Sequence, residues 1–182
     1  MDIIQSVDIA IFKWIHFYIK NDFFDILLPY LRNKLTWIPL YVYFLYHLYK
    51  VENKNYFKLI ISALILVILS DFLCAKVLKE IVERQRPCHL FINEIWFSNF
   101  NLCSSTYSFP SCHALNHMVI ASFLFPYFKN MGKYLLILWV FFIGFSQVYI
   151  GVHFPSDILG GIIIGAMISI IFTKLIQKIF HF

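Results

Sequence analysis

Three short polar clusters interrupt an otherwise apolar chain. They are Lys79 with Arg86 and Pro87, Ser111–Cys112–His113 after Pro110, and Ser146–Gln147 followed by His153 and Asp157. Arg86 offers a planar fork of N–H donors and Lys79 a point charge, and both suit phosphate oxygens. Ser111 can cap a helix whose first amides, on Cys112 and His113, attract an anion. His113 could then pass a proton to a leaving oxygen. Asp157 follows His153 at i+4, where a carboxylate can hold one ring nitrogen and leave the other as a nucleophile. Ser146 and Gln147 lie two turns earlier and could reach the same pocket. Taken together these groups could perform phosphoryl transfer. Each also has a plainer use: cations snorkel at helix ends, serines cap helices, and His-x-x-x-Asp suits a metal pair. No further His, Cys, Asp or Glu has ligand spacing, so neither metal nor cofactor is expected.

The elements that must position these clusters are membrane helices. Of 182 residues, 60% are hydrophobic and 14% charged, against about a quarter charged in soluble domains. A net charge of +5, placed mostly at the ends of apolar runs, points to orientation in a bilayer rather than to nucleic acid. We expect an all-α, polytopic helix bundle forming one domain over residues 1–182. No basic n-region opens the chain and Asp8 and Lys13 break its first apolar stretch, so internal spans are expected to direct insertion.

Five spans are predicted, near 35–49, 57–78, 112–128, 133–152 and 156–177. The first is short against the roughly 20 residues a crossing needs. Residues 1–33 read as interfacial helices: Asp2, Gln5, Ser6, Lys13, His16 and Lys20 share one arc of the first, although a sixth span is the alternative. With five spans, Lys50, Lys54, Lys58, Lys129, Lys133, Lys174 and Lys178 gather on one side, which should be cytoplasmic. The three clusters then face the periplasm or exterior. Residues 88–109, with Trp96, form a long extracytoplasmic loop over the site.

On a continuous helix Lys79 and Arg86 would share a face, about 20° from alignment. Arg84 would point away unless the helix ended first, which leaves it a lipid headgroup contact or a substitute phosphate cation. Cys88 and Cys103 bracket the outer loop, where a disulfide would contribute roughly 3 kcal/mol in the chain-entropy model. Cys74 reads as inert packing within a span. Cys112 sits at a helix start that favours a thiolate. Asp71, within a span, should face the protein interior under the site. Asn116 reads as an interhelical hydrogen-bonding residue, His117 as support for His113, and Gly161 with Gly165 as a close helix contact.

Read together, KEIVERQRP, FPSCHA and SQVYIGVHFPSD resemble the signature of the type 2 phosphatidic acid phosphatase family, K-x6-R-P, P-S-G-H and S-R-x5-H-x3-D. The resemblance covers roughly residues 56–165. It implies that Lys79, Arg86, Ser111, the Cys112 amide and Gln147 bind phosphate and that His153 attacks phosphorus to form a phosphohistidine. It also implies that Asp157 orients His153, that His113 protonates the leaving group, and that no metal is required. Two positions depart from the pattern: Cys112 replaces the glycine, and Gln147 replaces the arginine of the third motif. The substrate is then expected to be a membrane lipid phosphate or diphosphate, such as undecaprenyl diphosphate, lipid A 1-phosphate, phosphatidylglycerol phosphate or phosphatidic acid. A lipid phosphotransferase using the same phosphohistidine, or a weakly catalytic phospholipid-binding scaffold, is the alternative.

Overall fold

The computed structural model describes residues 3–52, 54–94 and 103–180. Trp96 and part of the predicted outer loop lie outside them. The described residues are all helical apart from turns and connections. They comprise α1 (Ile3–Trp14), α2 (Asp22–Arg32), α3 (Ile38–Val51), α4 (Tyr56–Phe72), α5 (Lys79–Val82), α6 (Pro87–Leu90), α7 (Cys112–Leu124), α8 (Asn130–Tyr149) and α9 (Pro155–Phe180). A wide, π-type stretch over Leu73–Leu78 joins α4 to α5, so the two run as one rod from Tyr56 to Val82.

Among the described residues, three helical stretches are long and apolar enough to cross a membrane: Tyr56–Val82, Asn130–Tyr149 and Pro155–Lys178. Their outward faces carry exposed apolar side chains, among them Leu64, Ile68, Phe141, Ile163 and Met167, as a lipid-facing surface requires. Helix α3 is short, as expected, at 14 residues, and α7 is shorter than expected, at 13. Each rises only about 20 Å against a hydrocarbon core of about 30 Å. Pro126 ends α7: it sits in a 3-10 turn at Phe125–Tyr127, because its ring and missing N–H cannot continue an α-helix.

Helix α7 lies at the centre, against α4, α8 and α9. Leu115 and Val119 of α7 pack with Phe44 and Leu48 of α3, Leu66 of α4, and Trp139 and Ile143 of α8. Contact with α9 is closest. A Cβ on Gly161 would stand 2.7 Å from the Ser111 carbonyl oxygen, and one on Gly165 would stand 2.5 Å from that of Leu115. The two glycines therefore let backbone meet backbone, the small-residue contact their spacing suggests.

The N-terminal helices are docked onto this bundle. Phe12 and Ile15 are buried with Leu28, Tyr149 and Phe154, while Ile3, Ile4, Val7 and Trp14 are exposed. The expected polar arc is not wholly turned to water. His16 is buried, with Nδ1 2.9 Å from the Phe12 carbonyl, because the flank carrying Phe12 and Ile15 faces protein. Asn21 caps α2 by accepting the Phe24 N–H at 3.0 Å. The Tyr149 hydroxyl ties that corner to α8, donating to Asp25 at 2.8 Å.

The helix carrying Lys79 does not continue to Arg86. Glu83 takes a left-handed conformation, φ 50°, which ends the helix at Val82; few residues other than glycine do so. Both Arg84 and Arg86 are thereby redirected. Two disulfides staple this end, Cys88–Cys103 and Cys74–Cys112. The second corrects two expectations: Cys74 is not inert packing, and Cys112 is no thiolate. The π-type stretch of the rod passes the start of α7, where the Cα atoms of Cys74 and Cys112 are 5.7 Å apart, within disulfide reach.

Substituting Gly161→Ala should force α7 and α9 apart at Ser111. We expect a loss of about 1–3 kcal/mol, read as a lower melting temperature in detergent. An unchanged melting temperature would show that the contact is not tight.

Candidate active site

The end of α8 and the start of α9 build the centre of the site. Gly151, at φ 90°, makes a turn only glycine enters easily. The N–H groups of Val152 and His153 then both point at the Gln147 carbonyl, at 3.1 and 3.3 Å. This folds His153 back over the helix end. Pro155 opens α9, and Asp157 reaches back to accept the Phe154 N–H at 2.8 Å, the carboxylate half of a capping box. Local rules alone thus bring His153 and Asp157 together.

Asp157 is fully buried and every side of it is engaged. Its Oδ1 accepts from Arg84 at 2.6 Å, and its Oδ2 accepts the Ser108 hydroxyl at 2.5 Å. His153 Nδ1 lies 3.6 Å from Oδ2 and 3.4 Å from Ser108 Oγ, so the imidazole is held by charge and by Ser108 rather than by a short bond to the acid. Arg84 also pairs with Asp8 of α1 at 2.5 Å and lies over the Phe154 ring at 4.5 Å. Asp8 in turn accepts the Ser156 N–H at 2.9 Å and the Ser156 hydroxyl, capping α9. Burial opposes the charge on Arg84, but Asp157 and Asp8 more than offset it and raise its pKa.

The cations meet the loop. Lys79 donates to the Tyr107 carbonyl at 2.6 Å. Arg86 donates through Nε to the Thr106 carbonyl at 2.7 Å, and through its two terminal nitrogens to Thr106 Oγ1 at 3.0 Å and the Val152 carbonyl at 2.9 Å. One terminal nitrogen also stands 3.2 Å from His153 Nε2. That Nε2 must accept, so the His153 proton sits on Nδ1, toward Ser108 and Asp157. Burial lowers the His153 pKa to about 4, with the Arg86 charge acting in the same direction and Asp157 against it. The imidazole is thus neutral near pH 7, as a nucleophile must be. Burial, then the nearby charge of Arg32, lowers Arg86 to about 10, still charged.

Ser111 is buried at the start of α7; its N–H donates to the Asp157 carbonyl at 3.0 Å and its hydroxyl accepts the Ala114 N–H at 3.5 Å. His113 is half-buried and opens onto a cleft of about 670 Å³, lined also by Arg32, Lys34, Tyr41, Asp71 and Asn116. His117 holds it from below: Nδ1 donates to the His113 carbonyl at 2.7 Å, which leaves Nε2 to accept from Tyr41 at 3.2 Å. Asn116 bridges helices, donating to Asp71 at 2.7 Å and accepting from Ser70 at 3.0 Å. Asp71 is exposed to this cleft instead of facing the interior.

Gln147 is buried, and its amide nitrogen and oxygen both lack a protein partner. Ser146 does not join the site; its hydroxyl bonds back to the Ile143 carbonyl at 2.7 Å within its own helix. Among the described residues, one group has metal-ligand proximity, Cys88, His89 and Cys103, but its sulfurs are joined as a disulfide. Sequence reasoning missed Ser108, Thr106 and Asp8. Only Asp8, an acid on an apolar helix, carried a signal.

Residues 56–181 match the model of the PAP2 superfamily. The chain is 29% identical over 165 residues to a lipid A 4'-phosphatase of Bacteroides thetaiotaomicron, covering 88% of this chain and 73% of that protein. It is 33% identical over 130 residues to phosphatidylglycerophosphatase B of Bacillus subtilis, covering 65% and 59%. Among solved structures it is similar to the transmembrane PAP2-type phosphatidylglycerolphosphate phosphatase of Bacillus subtilis, with TM-score 0.68, 25% identity, and 98% and 89% of the two chains covered. It is also similar to LpxE of Aquifex aeolicus, with TM-score 0.67, 26% identity, and 92% and 95% covered. The match spans all three polar clusters, and the chain belongs to the PAP2 superfamily of membrane lipid phosphate phosphatases.

Proposed function

We propose that this protein hydrolyses the terminal phosphate of a membrane lipid through a phosphohistidine on His153, without a metal. The observation that carries the reading is the convergence of a neutral His153 Nε2, the Arg86 guanidinium 3.2 Å away, and a half-buried acid–base candidate in His113. Lys79, Arg86, Ser111 and the Cys112 amide bind the phosphate and take up the charge that a metal would otherwise neutralise. Gln147 adds a donor: its unpartnered buried amide needs a polar group, which a phosphate oxygen supplies. Phosphate displaces the Arg86 contact from Nε2 and lines up for attack. The P–O bond to the lipid breaks as the N–P bond forms, and His113 gives its proton to the departing oxygen. Water, deprotonated by His113, then cleaves the N–P bond.

The lipid and its setting follow from the surroundings. The His113 cleft runs into an apolar groove of about 430 Å³ between α3, α4 and α7; Lys34, Tyr41, Val67 and Ile120 line both. A headgroup in the cleft and a tail in the groove suit an amphiphile. Relatives are named for lipid A, phosphatidylglycerophosphate and undecaprenyl diphosphate, and these, with phosphatidic acid, are the substrates to test. In our reading α3, α4–α5, α7, α8 and α9 form five crossings, with α1 and α2 at the interface. The site faces the periplasm or exterior, since both disulfides lie at its end and disulfides persist in oxidising compartments.

Phosphate release from these lipids by purified protein should survive EDTA and fall to background in His153→Ala. Loss of release in EDTA, or retention in the variant, would overturn the mechanism. Free-enzyme ionisation appears in kcat/KM, and a lowered His153 pKa favours the neutral, reactive form as pH falls. After correction for the substrate phosphate, the acid limb of kcat/KM should therefore lie near pH 4; a limb at the ordinary imidazole value would contradict this. Arg84→Gln should cut kcat about ten- to a hundredfold through misplacement of Asp157, with KM little changed. It leaves Asp8 a buried, unpaired acid, so adding Asp8→Asn should restore part of the loss. Simple additivity of the two changes would show that they do not share one network.

A further inference from the structure

Arg32 closes α2 and Lys34 begins the turn into α3. Both line the cleft onto which His113 opens, whereas Lys79, Arg86, Ser111 and His153 do not. If His113 protonates the departing oxygen, this cleft is where the leaving group sits. Arg32 also stands near enough to Arg86 for its charge to be felt there. Lys34 lines the mouth of the apolar groove as well. From the scissile phosphate outward, a bound lipid would therefore pass His113, then Arg32, then Lys34, before its tail enters the groove. The cleft is also lined by Asp71, which accepts from the Asn116 amide at 2.7 Å.

A leaving group that is an uncharged alcohol has no use for two cations. One that carries its own phosphate does, because it develops further negative charge as the P–O bond breaks. We propose that Arg32 and Lys34 form a second anion subsite on the leaving-group side of His113, which selects lipids carrying another phosphate between the scissile phosphorus and the tail. This rests on the phosphatase reading above. In a polyprenyl diphosphate, the terminal phosphorus passes to His153 and the bridging oxygen takes the His113 proton. The lipid monophosphate then departs from between Arg32 and Lys34. Phosphatidic acid, with no second phosphate, leaves the subsite unused.

The test compares undecaprenyl diphosphate with undecaprenyl monophosphate, whose tails are identical. Wild type should favour the diphosphate at least about tenfold in kcat/KM, the discrimination expected of roughly one charge-assisted contact. Arg32→Gln and Lys34→Gln should each lower that ratio severalfold, and together should bring it near unity. A wild type without preference, or variants that lose both substrates equally, would overturn the proposal; equal loss would make Arg32 a general phosphate cation. Lys34 is exposed, so its variant should fold if Arg32→Gln does not. Should folded wild type release no phosphate from either lipid, the phosphatase reading fails, and the subsite is still tested by thermal protection. Pyrophosphate should raise the melting temperature more than orthophosphate does, and Lys34→Gln should shrink that difference. Equal protection by the two anions would refute the subsite.

Discussion

The buried carboxylate of Asp157 organises this end of the molecule. A desolvated charge is tolerated only if its oxygens are satisfied and an opposite charge is near. Four segments meet that demand: Arg84 from the turn after α5, Ser108 from the outer loop, the Phe154 amide from the start of α9, and His153 from the turn after α8. The Ser111 N–H adds a bond to the Asp157 backbone carbonyl, tying in α7. Segments distant in sequence are thus positioned by one group, and the side chains proposed to face phosphate inherit their geometry from it.

Arg84 extends the arrangement to the N-terminus. Its guanidinium lies between Asp157 and Asp8, so α1 is part of the electrostatics of the site as well as a flank of the bundle. Asp8 also caps α9 through Ser156. A helix that looks, by its apolar face, like an interfacial passenger carries the counter-charge that lets Arg84 remain half-buried and cationic.

Much of this was legible in the chain. The three clusters, the helical class, the glycine contact between α7 and α9, and the Cys88–Cys103 pairing could be read from residue type and spacing, because each depends on local rules. What was not legible depended on breaks in those rules. Glu83 adopts a glycine-like conformation with nothing in its identity to announce it, and that break redirects Arg84. Cys74 and Cys112 sit far apart in sequence and meet only because α4, its π-type stretch and α7 converge. Thr106 and Ser108 act through tertiary contacts on a segment without a periodic signal, and Asp8, on a periodic helix, names no partner by its spacing. Length misled at α7, which stops at 13 residues where Pro126 follows, whereas the shortness of α3 could be read in advance.

The way the loop holds the cations has a kinetic consequence. Lys79 and Arg86 already donate to the Tyr107 and Thr106 carbonyls, so they are not left wanting an anion. For the proposed phosphatase, substrate binding is an exchange of partners, and its net gain comes from the lipid's remaining contacts. Inorganic phosphate has no tail and no headgroup with which to compete. In that reading, once the lipid has gone the loop carbonyls would reclaim both cations, the cradle would reset itself, and weak product inhibition would follow from the resting hydrogen bonds.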